Sequence, residues 1–200
     1  MSEYHHGDLP AALRAATVDL IAERGPAGFS LREVARRAGV SHAAPAHHFG
    51  DTQGLLTSVA AEGFTVLARE MRASATDATD ARDRLMRCGA AYVNTALANP
   101  GHYAVMVTHE FTDENDPQLM AASLDAYMIL LETVEMMRDE LNPDLDVDST
   151  ATLLWCGVHG LVEISPVLVR VAETTGTRAS PVDELIERFA DLTIEGVRKR

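Results

Sequence analysis

Residues 29–51 read FSLREVARRAGVSHAAPAHHFGD. Ser30 and Glu33 have the spacing of a capping box. The hydroxyl can accept a free backbone N–H of the first helical turn, and the glutamate can reach back to the cap residue. Leu31, Val34, Ala35 and Ala38 then form an apolar stripe over two turns. Gly39 is suited to a left-handed stop after them. Ser41 is a good N-cap for a third, short helix. Pro45 falls near the end of that helix's first turn, where few intrahelical donors are lost. Phe49 is its one large apolar residue and Gly50 its stop. The short helix carries His42, His47 and His48 but no lysine or arginine.

The surrounding chain keeps the helical period. Upstream, Leu13, Ala16, Thr17, Leu20 and Ile21 fall at i, i+3, i+4, i+7 and i+8 and predict an amphipathic helix ending near Gly25-Pro26. Downstream, Asp51 is positioned to cap a long helix to about Ala73. Further helices are expected at about Ala81–Ala98, across HYAVMVTHEF, at about Pro117–Leu141 with a stop at Asn142-Pro143, at Asp148–Thr174, and at Pro181–Lys199. No strand alternation is sustained. The expected fold is all-α with about nine helices: a three-helix domain in residues 1–50, followed by a helical domain in 51–200. Two short helices joined by a glycine turn, behind a supporting helix, form a helix-turn-helix arrangement.

Composition bounds the rest. The chain has 200 residues, 46% hydrophobic and 24% charged, enough for one substantial core or a small module joined to a larger one. Net charge is −13, from 17 Lys+Arg and 30 Asp+Glu. Five of each lie within residues 1–50, as do five of the eight histidines, so the excess negative charge belongs wholly to the rest. A neutral, titratable head on an acidic body suggests two modules with different partners. Cys88 and Cys156 sit in apolar helical patterns and are expected to be buried, without a disulfide framework. The polar N-terminus lacks the apolar core of a signal peptide. Leu153–Val171 is interrupted by His159, Glu163 and Pro166, which argues against a membrane span. A soluble cytoplasmic protein is expected. His102 and His109, His5-His6 and His47-His48 lack the spacing of a closed metal site, and no nucleophile motif of an enzyme appears. No cofactor, metal or catalytic residue is expected.

The run FSLREVARRAGVSHAAPAHHFGDTQGLL resembles the DNA-binding domain of the tetracycline-repressor (TetR) family of transcriptional regulators, over roughly residues 8–60. LLWCGVHGLVE, with Trp155, His159 and Gly160, resembles the Trp-x-x-x-His-Gly segment of one branch of that family. The resemblance implies a homodimer whose third helices enter the major grooves of a palindromic operator. It implies a C-terminal domain that binds a small effector and releases DNA, and a four-helix dimer interface made by the last two helices. Operator contacts are expected at Arg32, Arg36, Ser41, His42, Ala43, Ala44, Ala46, His47, His48 and Thr52.

Ala46 and Thr52 stand where the family usually has a tyrosine and a lysine, both phosphate contacts. Each charge neutralised contributes about −0.9 to the salt slope of binding, so two missing lysines in a dimer would remove roughly two units. Arginines, the N-terminal ends of the second and fourth helices, and the histidines are the remaining phosphate partners. An imidazole beside a phosphate favours its cation. Alanine methyls can pack on a thymine methyl.

In the acidic body, Tyr92, His102, Met106, Tyr127, Trp155 and His159 are candidate effector contacts, apolar or amphipathic groups with a few polar points. Leu154, Val158, Leu161, Leu168, Leu185, Ile186, Phe189 and Thr193 are the expected dimer interface, from the apolar stripes of the last two helices. Two functional readings stand: a ligand-responsive dimeric repressor, and a ligand- or protein-binding module of the same fold with weak or lost DNA binding.

Overall fold

The computed structural model describes residues 8–140, 146–178 and 180–197. Nine α-helices and two short 3-10 turns account for the regular structure among these residues, with no strand. They are α1 (Leu9–Arg24), α2 (Leu31–Ala38), α3 (Ala44–Phe49), α4 (Thr52–Ala75), α5 (Ala81–Ala98), α6 (Pro100–Met106), α7 (Pro117–Glu135), α8 (Val147–Thr175) and α9 (Val182–Val197). Packing divides the chain into two compact units. The first holds the residues up to Thr65 with Asn99–Leu124; the second holds Val66–Ala98 with the residues from Asp125 onward. The first therefore includes α6 and the start of α7 besides the N-terminal helices, a grouping that an expected boundary at residue 50 did not contain.

In the first unit, local signals act as read. Leu13, Ala16, Thr17, Leu20 and Ile21 are the buried residues of α1. Both halves of the Ser30–Glu33 capping box form, and Gly39 ends α2 with φ 69° and ψ 30°. Leu13, Ala16, Leu20, Val34 and Leu55 make one buried cluster, with Phe49, Val40 and Leu31 packed against it. A second joins Ile21, Leu56, Val59 and Val105 to Leu119. Close approach there depends on two glycines. A Cβ on Gly101 of α6 would lie 2.4 Å from the Val18 carbonyl oxygen of α1, and one on Gly63 of α4 would lie 2.5 Å from Met106 Sδ.

The second unit is built on Leu85, Leu130, Val134, Met137, Val147, Ala151 and Leu154, with Tyr127, Trp155 and Phe189 packed against them. Asp146 caps α8 by accepting the Ser149 N–H at 2.7 Å. α5 has the expected bounds, and α8 begins one residue earlier than expected and ends one later. α7 stops at Glu135 and gives way to a 3-10 turn at Arg138–Glu140. The expected stop at Asn142-Pro143 lies outside the described residues, as does Lys199.

α8 runs unbroken through Pro166, in keeping with the single helix expected over Asp148–Thr174; His159, Glu163 and Pro166 interrupt its apolar run, not the helix itself. By length and composition it would suffice to cross a membrane; a core helix of a soluble protein meets the same test. It buries Val147, Thr150, Ala151, Leu154, Val162, Ser165 and Ala172. Cys88 is buried and Cys156, against expectation, is exposed. Burial pushes the Cys88 thiol above its ordinary range.

Candidate nucleic-acid interface and effector site

The Gly39 turn sets α3 beside α2, and Phe49 ties α3 to the core. Ser41 does not cap α3. The helix begins after Ala43, which has helical backbone angles and no side-chain cap, and the Ser41 carbonyl accepts the Ala44 N–H at 3.0 Å. Two alanines and a proline favour continuing the turn as helix, so the hydroxyl is left outward. Ala44 and Pro45 are buried, whereas Ser41, His42, Ala43, Ala46, His47 and His48 are exposed. Ala44 was expected among the operator contacts; as the first residue of α3 it is buried against the core instead. Arg32 and Arg36 on α2 and Thr52 at the start of α4 are exposed as well. Asp51 caps α4 by accepting the Gly54 N–H at 2.8 Å.

Ion pairs determine which arginines remain available. Arg37 makes two contacts to the Glu23 carboxylate, at 2.7 and 3.0 Å. Arg24 reaches Glu33 at 2.8 Å, and its guanidinium holds the Glu33 carboxyl below the usual range. Arg14 Nε lies 3.1 Å from Glu62 Oε1 but lacks hydrogen-bond geometry. Among the described residues of this face, Arg32 and Arg36 make no ion pair. The exposed surface from Arg32 to Thr52 thus combines two unpaired guanidiniums, three imidazoles and small side chains. It suits an anionic, grooved partner.

The six effector candidates fall in two groups. In the second unit, Tyr92 of α5 hydrogen-bonds His159 of α8 through Oη and Nδ1 at 3.1 Å. One turn earlier on α8, the Trp155 ring lies 5.2 Å from that of Tyr127 of α7, centroid to centroid. His102 and Met106 belong to the first unit. His102 Nε2 is 3.3 Å from Glu62 Oε2, and Met106 packs with the cluster around Ile21 and Val59. Among the described residues, no group of three or more metal-ligating side chains occurs; His5 and His6 lie outside them.

The expected interface residues divide as well. Leu154 and Ile186 are buried, and Phe189 packs on the core beside Leu154. Val158 and Ile186 approach Gly89 of α5. These four therefore face inward, because α5 takes up the stripe that the spacing assigned to a partner. Leu161 and Leu185 are half-buried, Leu168 is exposed, and the Thr193 side chain lies outside the described residues. A different apolar face is open: Leu153, Ile164, Val167, Leu168 and Val171 on α8, each between 38% and 54% exposed, with Leu192 on α9 at 72%. Of this face the expected interface held only Leu168, because α8 is apolar on both sides and a period alone does not say which side the core takes.

A helix-turn-helix near the N-terminus of an otherwise all-helical set of described residues defines the class. The description "Bacterial regulatory proteins, tetR family" matches residues 13–59. "Tetracyclin repressor-like, C-terminal domain" matches residues 85–192. The chain belongs to the TetR family. It is 38% identical over 68 residues to an HTH-type transcriptional repressor of Mycobacterium tuberculosis, a match covering 34% of this chain and 36% of that protein. The chain thus spans about a third of the curated relatives it matches. A solved protein of unknown function from Rhodococcus sp. RHA1 is similar over 100% of both chains, at 29% identity and TM-score 0.81. The fold is shared with the regulator FadR from Bacillus subtilis, solved in complex with stearoyl-CoA, at 15% identity and TM-score 0.72 over 94% of this chain and 99% of that one.

Proposed function

We propose that the protein is a ligand-responsive transcriptional repressor that binds a palindromic operator as a homodimer and is released by a small apolar or amphipathic effector. The observation that carries the DNA-binding reading is the exposed surface of α2, α3 and the start of α4, where Arg32, Arg36, His42, Ala43, Ala46, His47, His48 and Thr52 stand clear of the core. A helix of small residues can enter a major groove, about 12 Å wide, without steric cost. The homodimer reading draws on the open apolar face of α8 and α9, since a soluble chain rarely leaves contiguous large aliphatics in water.

The effector reading draws on Tyr92, Tyr127, Trp155 and His159, which bring one hydrogen-bonded pair and one aromatic pair into the second unit. Such a set of side chains would suit a largely apolar molecule with a polar end, and the stearoyl-CoA bound by FadR of Bacillus subtilis carries a long apolar chain on a polar group. The deciding experiment is a gel shift with the DNA flanking the protein's own gene. Salt-sensitive, palindrome-dependent binding supports the reading. Absence of binding at low salt overturns it and favours a ligand- or protein-binding module, which the alanine at 46 and threonine at 52 would suit.

A further inference from the structure

The fixed charge of the candidate DNA surface is smaller than its arginine count. Arg24 and Arg37 are neutralised by Glu33 and Glu23, and Arg14 faces Glu62. Only Arg32 and Arg36 of the first fifty residues are left without an ion pair among the described residues. Interleaved with them are three exposed imidazoles, His42 in the turn and His47 and His48 on α3. The His47 and His48 rings meet edge to face with centroids 5.3 Å apart.

We propose that His42, His47 and His48 form a proton-dependent part of the DNA-binding surface, so that the protein holds DNA more tightly as the solution becomes more acidic. This rests on the DNA-binding reading above and adds to it the source of the charge.

The surroundings leave the imidazoles to the partner. The elements packed against α3 are α1, α2 and the start of α4, whose first charged residue, Glu62, faces Arg14 and His102. On α2 the charged groups are Arg32, Glu33, Arg36 and Arg37; on α1 they are Arg14, Asp19, Glu23 and Arg24, with Asp8 at its cap. Glu23 and Glu33 are held by Arg37 and Arg24. Asp8 accepts the Ala11 N–H and Asp51 the Gly54 N–H. Asp19 is exposed and makes no ion pair among the described residues. No carboxylate forms an ion pair with the three histidines among the described residues, so a phosphate would be the anion they meet.

The sign follows from linkage. An imidazole that meets a phosphate on binding has a higher proton affinity in the complex than in the free protein. Its contribution to affinity is complete at acid pH and is lost as pH rises through the value in the complex. A one-unit rise contributes up to about tenfold in affinity for each such imidazole.

The test uses the full chain and DNA fragments it retains from a random pool at low salt and about pH 6. Dissociation constants are measured at about pH 6, 7 and 8 at fixed ionic strength, for the wild type and the His42→Gln/His47→Gln/His48→Gln variant, whose fold is checked by circular dichroism. The expected result is binding at least about tenfold tighter at the acid end for the wild type, and a nearly flat profile for the variant. A flat wild-type profile with clear DNA binding overturns this inference alone. An unchanged slope in the variant also overturns it, by moving the proton uptake to other groups such as the His102–Glu62 pair. Retention of no DNA from the pool at low salt and about pH 6 overturns the DNA-binding reading itself, and the inference with it.

Discussion

The ring of Phe189 on α9 lies directly over Gly157 on α8: a Cβ at Gly157 would fall 1.7 Å from Phe189 Cζ. No side chain can share that space, so Gly157→Ala must push α9 away or rotate the ring. We expect a loss of about 1–3 kcal/mol in global stability, read from denaturant unfolding. Phe189→Ala should cost about 3 kcal/mol by exposing its neighbours in the second core. The double variant should lose less than the sum, since the smaller ring site relieves the clash. Additive losses would show that the contact is not tight.

The capping box of α2 gives a second expectation. Ser30→Ala removes the acceptor for the Glu33 N–H and should lower stability by about 1 kcal/mol. Gly39→Ala forces a side chain into a left-handed residue at φ 69° and should cost about 1 kcal/mol. Both are read from thermal unfolding, and stability unchanged within error would contradict the cap assignment.

If the exposed face of α2 and α3 binds DNA as proposed, adding fixed charge to it should strengthen binding. Thr52 is exposed at the start of α4, and Thr52→Lys adds one cation per protomer. In a dimer that engages both, the slope of log K against log salt should steepen by roughly two units. Ala46→Tyr adds a hydroxyl to the same surface and should raise affinity with little change in slope. An unchanged slope in Thr52→Lys would mean that residue 52 does not meet a phosphate.

Dimerisation through the open face of α8 predicts a division between two kinds of leucine-rich variant. Ile164→Glu and Val167→Glu, at exposed positions, should yield folded monomers by analytical ultracentrifugation. Leu154→Glu, at 5% exposure, should instead unfold the chain, because an unpaired buried carboxylate is costly. If Ile164→Glu remains dimeric, the interface lies elsewhere.

Acid should loosen the N-terminal ends of α8 and α5, where Asp146 caps α8 and Asp83 lies in the first turn of α5. The Ser149 N–H holds the Asp146 carboxyl below its ordinary range. The Thr79 N–H and then Arg87 do the same for Asp83. Each depressed carboxylate contributes stability that is present above its unfolded-state value and is lost as pH falls through its folded-state value. Unfolding midpoints should therefore drop below the ordinary carboxylate range, and Asp146→Ala should flatten part of that drop. The same profile in the variant would exclude Asp146 as a source.

Much of the fold was legible in the chain because its determinants are local. The stripe in α1, the Ser30–Glu33 box, the Gly39 stop and the Asp51 cap each act within one or two turns, and all form as their spacing indicated. Ser41 failed as a cap because its neighbours let a turn form first, a competition decided over three residues rather than one.

The sequence by itself determined the number and type of the helices, the Gly39 stop of α2 and the exposed identity of the small, histidine-bearing helix α3, since hydrogen-bond closure and apolar period operate along the chain. The tertiary structure alone decided which side of α8 meets the core and which stays open. It decided that α6 packs with α1 and α4, and that Arg24 and Arg37 are already paired. These outcomes depend on contacts between residues far apart in sequence, where several apolar faces or several carboxylates compete for one partner and packing geometry selects among them.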